Sequence, residues 1–187
     1  MNELMQAVSQ AETIAIGGHV RPDGDCIGSC MGLYSYIQDN FPGKKVTVYV
    51  EEIPSAFDYL SKEEAMTEQC GADQVYDLFV ALDCGDKERL GEAAGILEKA
   101  KATYCVDHHI TNTHFCQKEQ VEADASSTSQ ILYTLMEDEK ISYATACCLY
   151  TGIIHDTGVF KHSNTSCRTM EICLLYTSDA ADDLIGV

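Results

Sequence analysis

The chain has no Cys-x-x-Cys pair, no long apolar run and little basic charge. Each absence closes off a class of function. Without paired cysteines a cysteine-based zinc site is not expected. The ten cysteines, several inside helix or strand patterns (Cys30, Cys105, Cys147, Cys148), read instead as reduced, buried thiols of a reducing compartment. Without about 20 consecutive apolar residues there is no membrane-spanning helix, so no membrane association is expected. The start, Met1-Asn2-Glu3-Leu4, lacks the basic and apolar segments of a secretory signal, so the expected location is cytoplasmic. Twelve Lys and Arg against 30 Asp and Glu give a net charge of −18, which repels the phosphates of long duplex nucleic acid. A substrate that is anionic must then be small, or enter by one end, with metal ions screening it. No internal repeat or low-complexity linker breaks the chain, and 187 residues suffice for one core.

The remaining pattern is that of an α/β protein. A short amphipathic helix over 2–11 precedes Thr-Ile-Ala-Ile at 13–16, a strand buried on both faces and closed by Gly17-Gly18. Pro22 and Gly24 mark a loop, and Asp25 opens a helix reaching Asn40. Strands are expected over 45–50, 78–82 and 102–106, with a short helix over 54–60, a helix over 91–99 and a weakly patterned acidic stretch over 51–77. Ser126-Ser127-Thr128-Ser129 reads as a helix N-terminus. A further helix over 142–155 is apolar nearly all round and is expected to be buried. Strands alternating with helices predict a three-layer, mostly parallel sheet with helices on both faces.

Chemistry gathers at the ends of these elements. His19, Asp23 and Asp25 follow the first strand, Asp83 ends the third, Asp107-His108-His109 ends the strand at 102–106, and Asp156 ends the last helix. Singly, each has a structural role open to it: Asp25 as an N-cap, Asp83 as an Asx turn, Asp156 as a turn residue, His19 as a buried histidine. Together they require more, because a parallel sheet brings its strand C-termini to one rim and unneutralised acids there repel one another. Four carboxylates with two imidazoles suit two divalent cations sharing a bridging carboxylate. Mixed oxygen and imidazole donors favour Mn2+, with Mg2+, Co2+ or Fe2+ as alternatives. Paired ions of this kind clamp the oxygens of an in-line phosphoryl displacement.

The motifs resemble those of the DHH phosphoesterase family. His19-x-x-Pro22-Asp23-x-Asp25-x-x-Gly28-Ser29, Leu82-Asp83, Asp107-His108-His109 and Gly152-Ile153-x-x-Asp156-Thr157-Gly158-x-Phe160 match its four motifs in order, and Ala125–Ser129 and Asn164-Thr165 match positions around them. The resemblance covers about residues 1–172 and implies the oligoribonuclease and phosphoadenosine-phosphate phosphatase branch. Cyclic di-AMP phosphodiesterases share the same core, and a nucleotide-binding module without turnover is the alternative of another class. By that resemblance His19, Asp23 and Asp83 hold one metal, and Asp25, Asp83, His108 and Asp156 hold the other. His109 meets the substrate phosphate as a catalytic residue, and Asp107 supports the neighbouring imidazoles. Gln130 departs from the glutamate many relatives carry. The implied substrate is a small nucleotide or short oligonucleotide, and a homodimer is compatible with the family.

The end of the chain breaks pattern. From Cys173 onward, Cys-Leu-Leu-Tyr-Thr-Ser-Asp-Ala-Ala-Asp-Asp is similar to a translated sequencing adaptor, so residues 173–187 are expected to be an artificial tail outside the fold. The resemblance also implies a C-terminal substrate-binding domain that this chain does not contain, without which turnover by residues 1–172 is expected to be weak. Leaving out the tail removes three aspartates and keeps the chain strongly acidic.

Overall fold

In the computed structural model, residues 1–51, 53–60, 66–67 and 74–182 are described. The rest of the weakly patterned 51–77 stretch and the final five residues lie outside them. The elements are α1 (Glu3–Gln10), β1 (Thr13–Gly17), α2 (Gly24–Asn40), β2 (Lys45–Tyr49), β3 (Met66–Thr67), β4 (Leu78–Leu82), α3 (Ala94–Leu97), β5 (Ala102–Asp107), β6 (Lys118–Val121), α4 (Thr128–Leu135), α5 (Tyr143–Asp156) and α6 (Cys167–Asp182). A 3-10 turn at Ser55–Leu60 stands where the short helix over 54–60 is expected, and another at Glu88–Ala93 leads into α3. Gly91, at φ 56°, kinks that segment, so the expected helix over 91–99 is shorter.

The sheet has six strands in the order β3-β2-β1-β4-β5-β6, and every pair is parallel. It is more regular than the mostly parallel sheet the sequence predicts. The central strands read as continuous apolar runs because both faces are covered: β4 is buried at every position. The two faces are unequal. Ile14, Ile16, Val80, Leu82 and Val106 pack into one large core with α1, α2, α4 and α5. The other face holds Phe79, Ala81 and Cys105 under Leu90, Ile96 and Leu97, so among the described residues a 3-10 turn and one short helix form its helical cover. The three layers are present, the second helical layer only as this thin segment.

α2 is buried at every position from Gly24 through Ile37, lying between the sheet and α5. The two helices meet closely because Gly28 has no side chain: a Cβ there would fall 2.5 Å from the Cys148 carbonyl. α5 itself corrects an expectation. One side is buried through Ala146, Leu149 and Ile153, but Cys147, Tyr150 and Ile154 are half-buried and Tyr143 is exposed. Phe57 and Tyr59 of the first 3-10 turn cover part of that outer side, Tyr59 bonding Thr151 at 2.9 Å. α6 runs past residue 172, with Ile172 and Cys173 buried in the large core. No helix among the described residues is long and apolar enough to cross a membrane.

Strand register sets the level of the rim. Gly17, Ala81 and Cys105 lie side by side across β1, β4 and β5. His19, Asp83 and Asp107 each stand two residues beyond that row. β1 and β4 also flank the point where strand order reverses direction, the usual place for a ligand in such sheets. The opposite end is clasped by Asp77. One oxygen accepts from the Glu12 and Thr13 amides and the Thr13 hydroxyl at 2.9–3.0 Å, and the other meets Lys101 at 2.7 Å.

Two expectations for stability follow from these contacts. Gly28→Ala should destabilise by about 1–3 kcal/mol, since backbone rather than a side-chain end must move, and denaturant unfolding measures it. Lys101, with the Thr13 and Glu12 donors, holds the Asp77 carboxyl well below the usual carboxylate range. A depressed carboxylate stabilises above its unfolded value of about 3.9, and that stabilisation is lost as pH falls toward the folded value. Asp77→Asn should therefore lower Tm at pH 7, and the gap to wild type should close as pH drops below about 4.

Candidate metal centre

The rim begins with Asp83, the first residue after β4. Its φ of 55° is left-handed, sparsely populated for a residue with a side chain, and the Asp83 amide is anchored to the Val106 carbonyl at 3.1 Å. In this conformation its two oxygens face different neighbours. Oδ2 lies 3.5 Å from His19 Nε2; Oδ1 lies 3.5 Å from His108 Nε2 and accepts from the Thr128 hydroxyl at 3.1 Å. The carboxylate is 2% exposed, so neither oxygen is compensated by bulk water.

The loop after β1 brings His19 and Asp23. Nδ1 of His19 meets the Val20 carbonyl at 2.9 Å, which turns Nε2 toward Asp83 and, at 3.8 Å, Asp23 Oδ1. Asp23, not Asp25, is the N-cap of α2: its Oδ1 accepts from the Asp25 and Cys26 amides at 3.0 and 3.1 Å. That frees Asp25 for the interior. Asp25 is fully buried, and its two oxygens accept from the Thr128 and Ser129 amides, 2.7 and 3.0 Å, at the N-terminus of α4. The positive end of the α4 dipole thus offsets part of its charge. Gly152 of α5 makes room, since a Cβ there would strike Ser129 Oγ and Asp25 Oδ1.

Asp156 closes the ring from the last turn of α5, the negative end of that dipole and an unfavourable place for a carboxylate without a cation. Its Oδ2 lies 3.1 Å from His108 Nε2 and its Oδ1 lies 3.5 Å from His155 Nδ1. His162 Nδ1 and Asn164 Nδ2 approach the Asp156 carbonyl at 3.2 Å, holding the turn after α5. Asp107 stands apart. Its Oδ1 is 2.6 Å from His109 Nδ1, and its Oδ2 accepts from Asn112 Nδ2 at 2.7 Å. The support expected from Asp107 therefore goes to His109 and not to His108.

Among the described residues, the ion-pair partners of Asp23, Asp83, Asp107 and Asp156 are all histidines. The burden falls on the imidazoles. Burial lowers the His108 pKa, but Asp156 and Asp83 outweigh it and push it up to about 11. His19 is likewise raised against burial by Asp23 and Asp83. Burial raises Asp83, yet His108 and His19 bring it below the carboxylate range. Asp25 is raised by burial, then by Asp83 and Asp156. Two protonated rings thus provide positive charge inside a ring of acids, the same charge a cation would bring.

The donor set fits divalent cations. His19 and His108 stand 3.5 Å from Asp83 oxygens, beyond a good hydrogen bond but suited to two atoms bound to one ion at about 2.0–2.2 Å each. Four compact donor groups lie along the rim among the described residues; Asp83, His108 and His109 form one of them. Asp25, His108 and Asp156 offer atoms within 4.8 Å of one another, and so do His19, Asp83 and Cys26. Sequence reasoning included every acid and imidazole of these three groups but omitted Cys26. It also omitted His155, which groups with Asp23 and Asp156. Cys26 follows Asp25 directly, and the absence of a Cys-x-x-Cys pair masked that signal. His155 precedes Asp156 and had no pattern of its own.

Comparison with known proteins follows the same lines. A profile described as DHH family, N-terminal domain, matches residues 13–153. The bifunctional oligoribonuclease and PAP phosphatase NrnA of Mycoplasma pneumoniae is 32% identical over 188 residues, covering 95% of this chain and 56% of that protein. The cyclic-di-AMP phosphodiesterase GdpP of Bacillus subtilis is 26% identical, covering 97% of this chain and 30% of its own length. The crystal structure of an exopolyphosphatase-related protein from Bacteroides fragilis superposes with a TM-score of 0.85 at 25% identity, over 97% of this chain and 57% of that one. The chain spans little more than half the length of its oligoribonuclease relatives.

A folded-state cation site must stabilise the fold on loading. At about 100 times its Kd, a divalent ion contributes about 2.7 kcal/mol, or about 5–10 °C in Tm for a chain of this size. Scanning calorimetry of chelator-treated protein with and without Mn2+ should show that rise, and Asp83→Asn should remove most of it.

Proposed function

This chain belongs to the DHH family, and from that premise we propose that it is the catalytic domain of a two-metal phosphoesterase acting on short oligonucleotides or phosphoadenosine phosphate. The observation that carries the reading is the pairing of each Asp83 oxygen with a different imidazole, with donor groups on both sides of it. His19, Asp23 and Asp83 would hold one cation, and Asp25, Asp83, His108 and Asp156 would hold the other. Residues 1–172 constitute this domain, and a second domain completes the substrate site. The names of the oligoribonuclease relatives, at higher identity than the cyclic-di-AMP phosphodiesterases, support the linear substrate.

Two divalent ions held there, manganese in this reading, would supply Lewis acidity to the phosphoryl oxygens and to the attacking water. The chain's own groups do the rest. The Asp107 carboxylate, the main cause, raises the His109 pKa, which favours the protonated ring. With Nδ1 held by Asp107, the protonated ring of His109 would present Nε2–H to a phosphoryl oxygen, where negative charge builds during displacement. Asn112 fixes the Asp107 carboxylate, and through it the ring. The α4 N-terminus holds Asp25 in place without a mobile side chain.

In the complete gene product loaded with Mn2+, phosphate release from phosphoadenosine phosphate and shortening of a dinucleotide should both be measurable. Asp83→Asn should lower kcat by about 1,000-fold or more, and His109→Ala by about 100- to 1,000-fold. Undiminished turnover in Asp83→Asn would sink this reading. Faster opening of cyclic di-AMP than of either linear substrate would replace it with the cyclic phosphodiesterase.

A further inference from the structure

Cys26 lies in the first turn of α2, between the buried Asp25 and the apolar Ile27, and is fully buried. On one side it neighbours the buried Cys30 thiol; on the other it faces the rim. The sulfur is 3.9 Å from the His19 carbonyl, on the loop that carries the rim histidine. Its Sγ, one ring nitrogen of His19 and one oxygen of Asp83 all lie within 4.8 Å of one another. His19 and Asp83 are 4% and 2% exposed, so two polar side chains almost removed from water converge with the thiol on one spot. Gly18 preserves that space, since a Cβ there would meet Cys26 Sγ. Cys30, one turn along α2, is also buried but belongs to none of the donor groups.

We propose that Cys26 is a thiolate ligand of the cation held at His19 and Asp83. This rests on the two-cation reading above and refines it. A nitrogen, oxygen and sulfur donor set selects a borderline-soft ion such as Zn2+ or Co2+. The Asp25, His108 and Asp156 position, with oxygen and nitrogen donors only, suits a harder ion such as Mn2+. On loading, the thiol gives its proton to solvent and its sulfur lone pair forms the bond to the ion. The two positions of one centre then differ in metal preference, set by a single side chain.

Cobalt reports this directly, because thiolate bound to Co2+ gives an intense near-ultraviolet charge-transfer band that oxygen and imidazole ligands do not. The chain is titrated with two equivalents of Co2+, and bound metal is measured by equilibrium dialysis. The wild type and Cys30→Ala should show the band; Cys26→Ala and Cys26→Ser should lose it while still binding cobalt. Cys26→Ala should also lower the Zn2+ over Mn2+ preference by about 10- to 100-fold. Circular dichroism of the Cys26 variants excludes unfolding as the cause of a lost band, and the Zn2+/Mn2+ competition is read on the folded serine variant if alanine fails to fold. Cobalt uptake without the band in wild type, or a band that survives Cys26→Ala, overturns the thiolate and leaves the two-cation reading standing. No cobalt uptake at all overturns both. A Cys26-dependent band in a protein whose complete gene product hydrolyses no nucleotide supports the ligand and overturns the proposed activity.

Discussion

Like-charge repulsion among buried carboxylates is the constraint on which this molecule turns. Asp25 and Asp83 have almost no access to water, and Asp156 sits at the unfavourable pole of a helix. Folding brings these acids together only because something in each case bears their charge. For Asp25 it is the pair of amides opening α4. For Asp107 it is Asn112 and the His109 ring. For Asp83 and Asp156 it is imidazole, which must be protonated to do the work alone. The acids thus divide into those neutralised by the protein itself and those whose compensation is exchangeable. At the second kind, a cation can take the place of the protons on the imidazoles.

Backbone topology does most of the assembly. An all-parallel sheet places the ends of β1, β4 and β5 at one level, so His19, Asp83 and Asp107 align through register before any side chain is considered. The left-handed φ of Asp83 then turns one carboxylate between two histidines. Holding a strained residue there requires a stiff support, provided by the close crossing of α2 on α5 at Gly28 and by the anchor from Asp83 to Val106. The helices that carry Asp25 and Asp156 are the same two that cross, so the packing that stabilises the fold also fixes two corners of the site.

Much of this was legible in the sequence, for a physical reason. Buried parallel strands are continuous apolar runs, so β1, β4 and β5 were visible as such, and a histidine or an acid beyond the end of each was conspicuous. What was hidden lacked a pattern. β6 is the half-buried edge stretch Lys-Glu-Gln-Val, with no apolar alternation to mark it. β3 is two residues long, too short to carry a period. The apolar sequence of α5 promised burial on all sides, but what covers a helix depends on neighbours distant in the chain, and its outer side is only half-buried. The sequence offered Asp25 as an N-cap, but the cap of α2 is Asp23; the choice depends on one turn of backbone.

The swap between those two aspartates matters beyond its size. Had Asp25 capped α2, its oxygens would have been spent on the helix that follows it, and the Thr128 and Ser129 amides of α4 would have lost their carboxylate partner. With Asp23 as the cap, one residue ties the loop to α2 while its neighbour reaches across to α4, so a two-residue spacing links three elements. Cys26 is the next residue along, and its position follows from theirs. Once Asp23 fixes the first turn and Asp25 faces α4, the side chain after Asp25 is carried toward β1 and the His19 loop. Whatever residue stands there is brought against the rim. In this chain it is one with a sulfur, so under the proposed ligation the metal preference of the centre would be a property of the helix start and not of the acids alone.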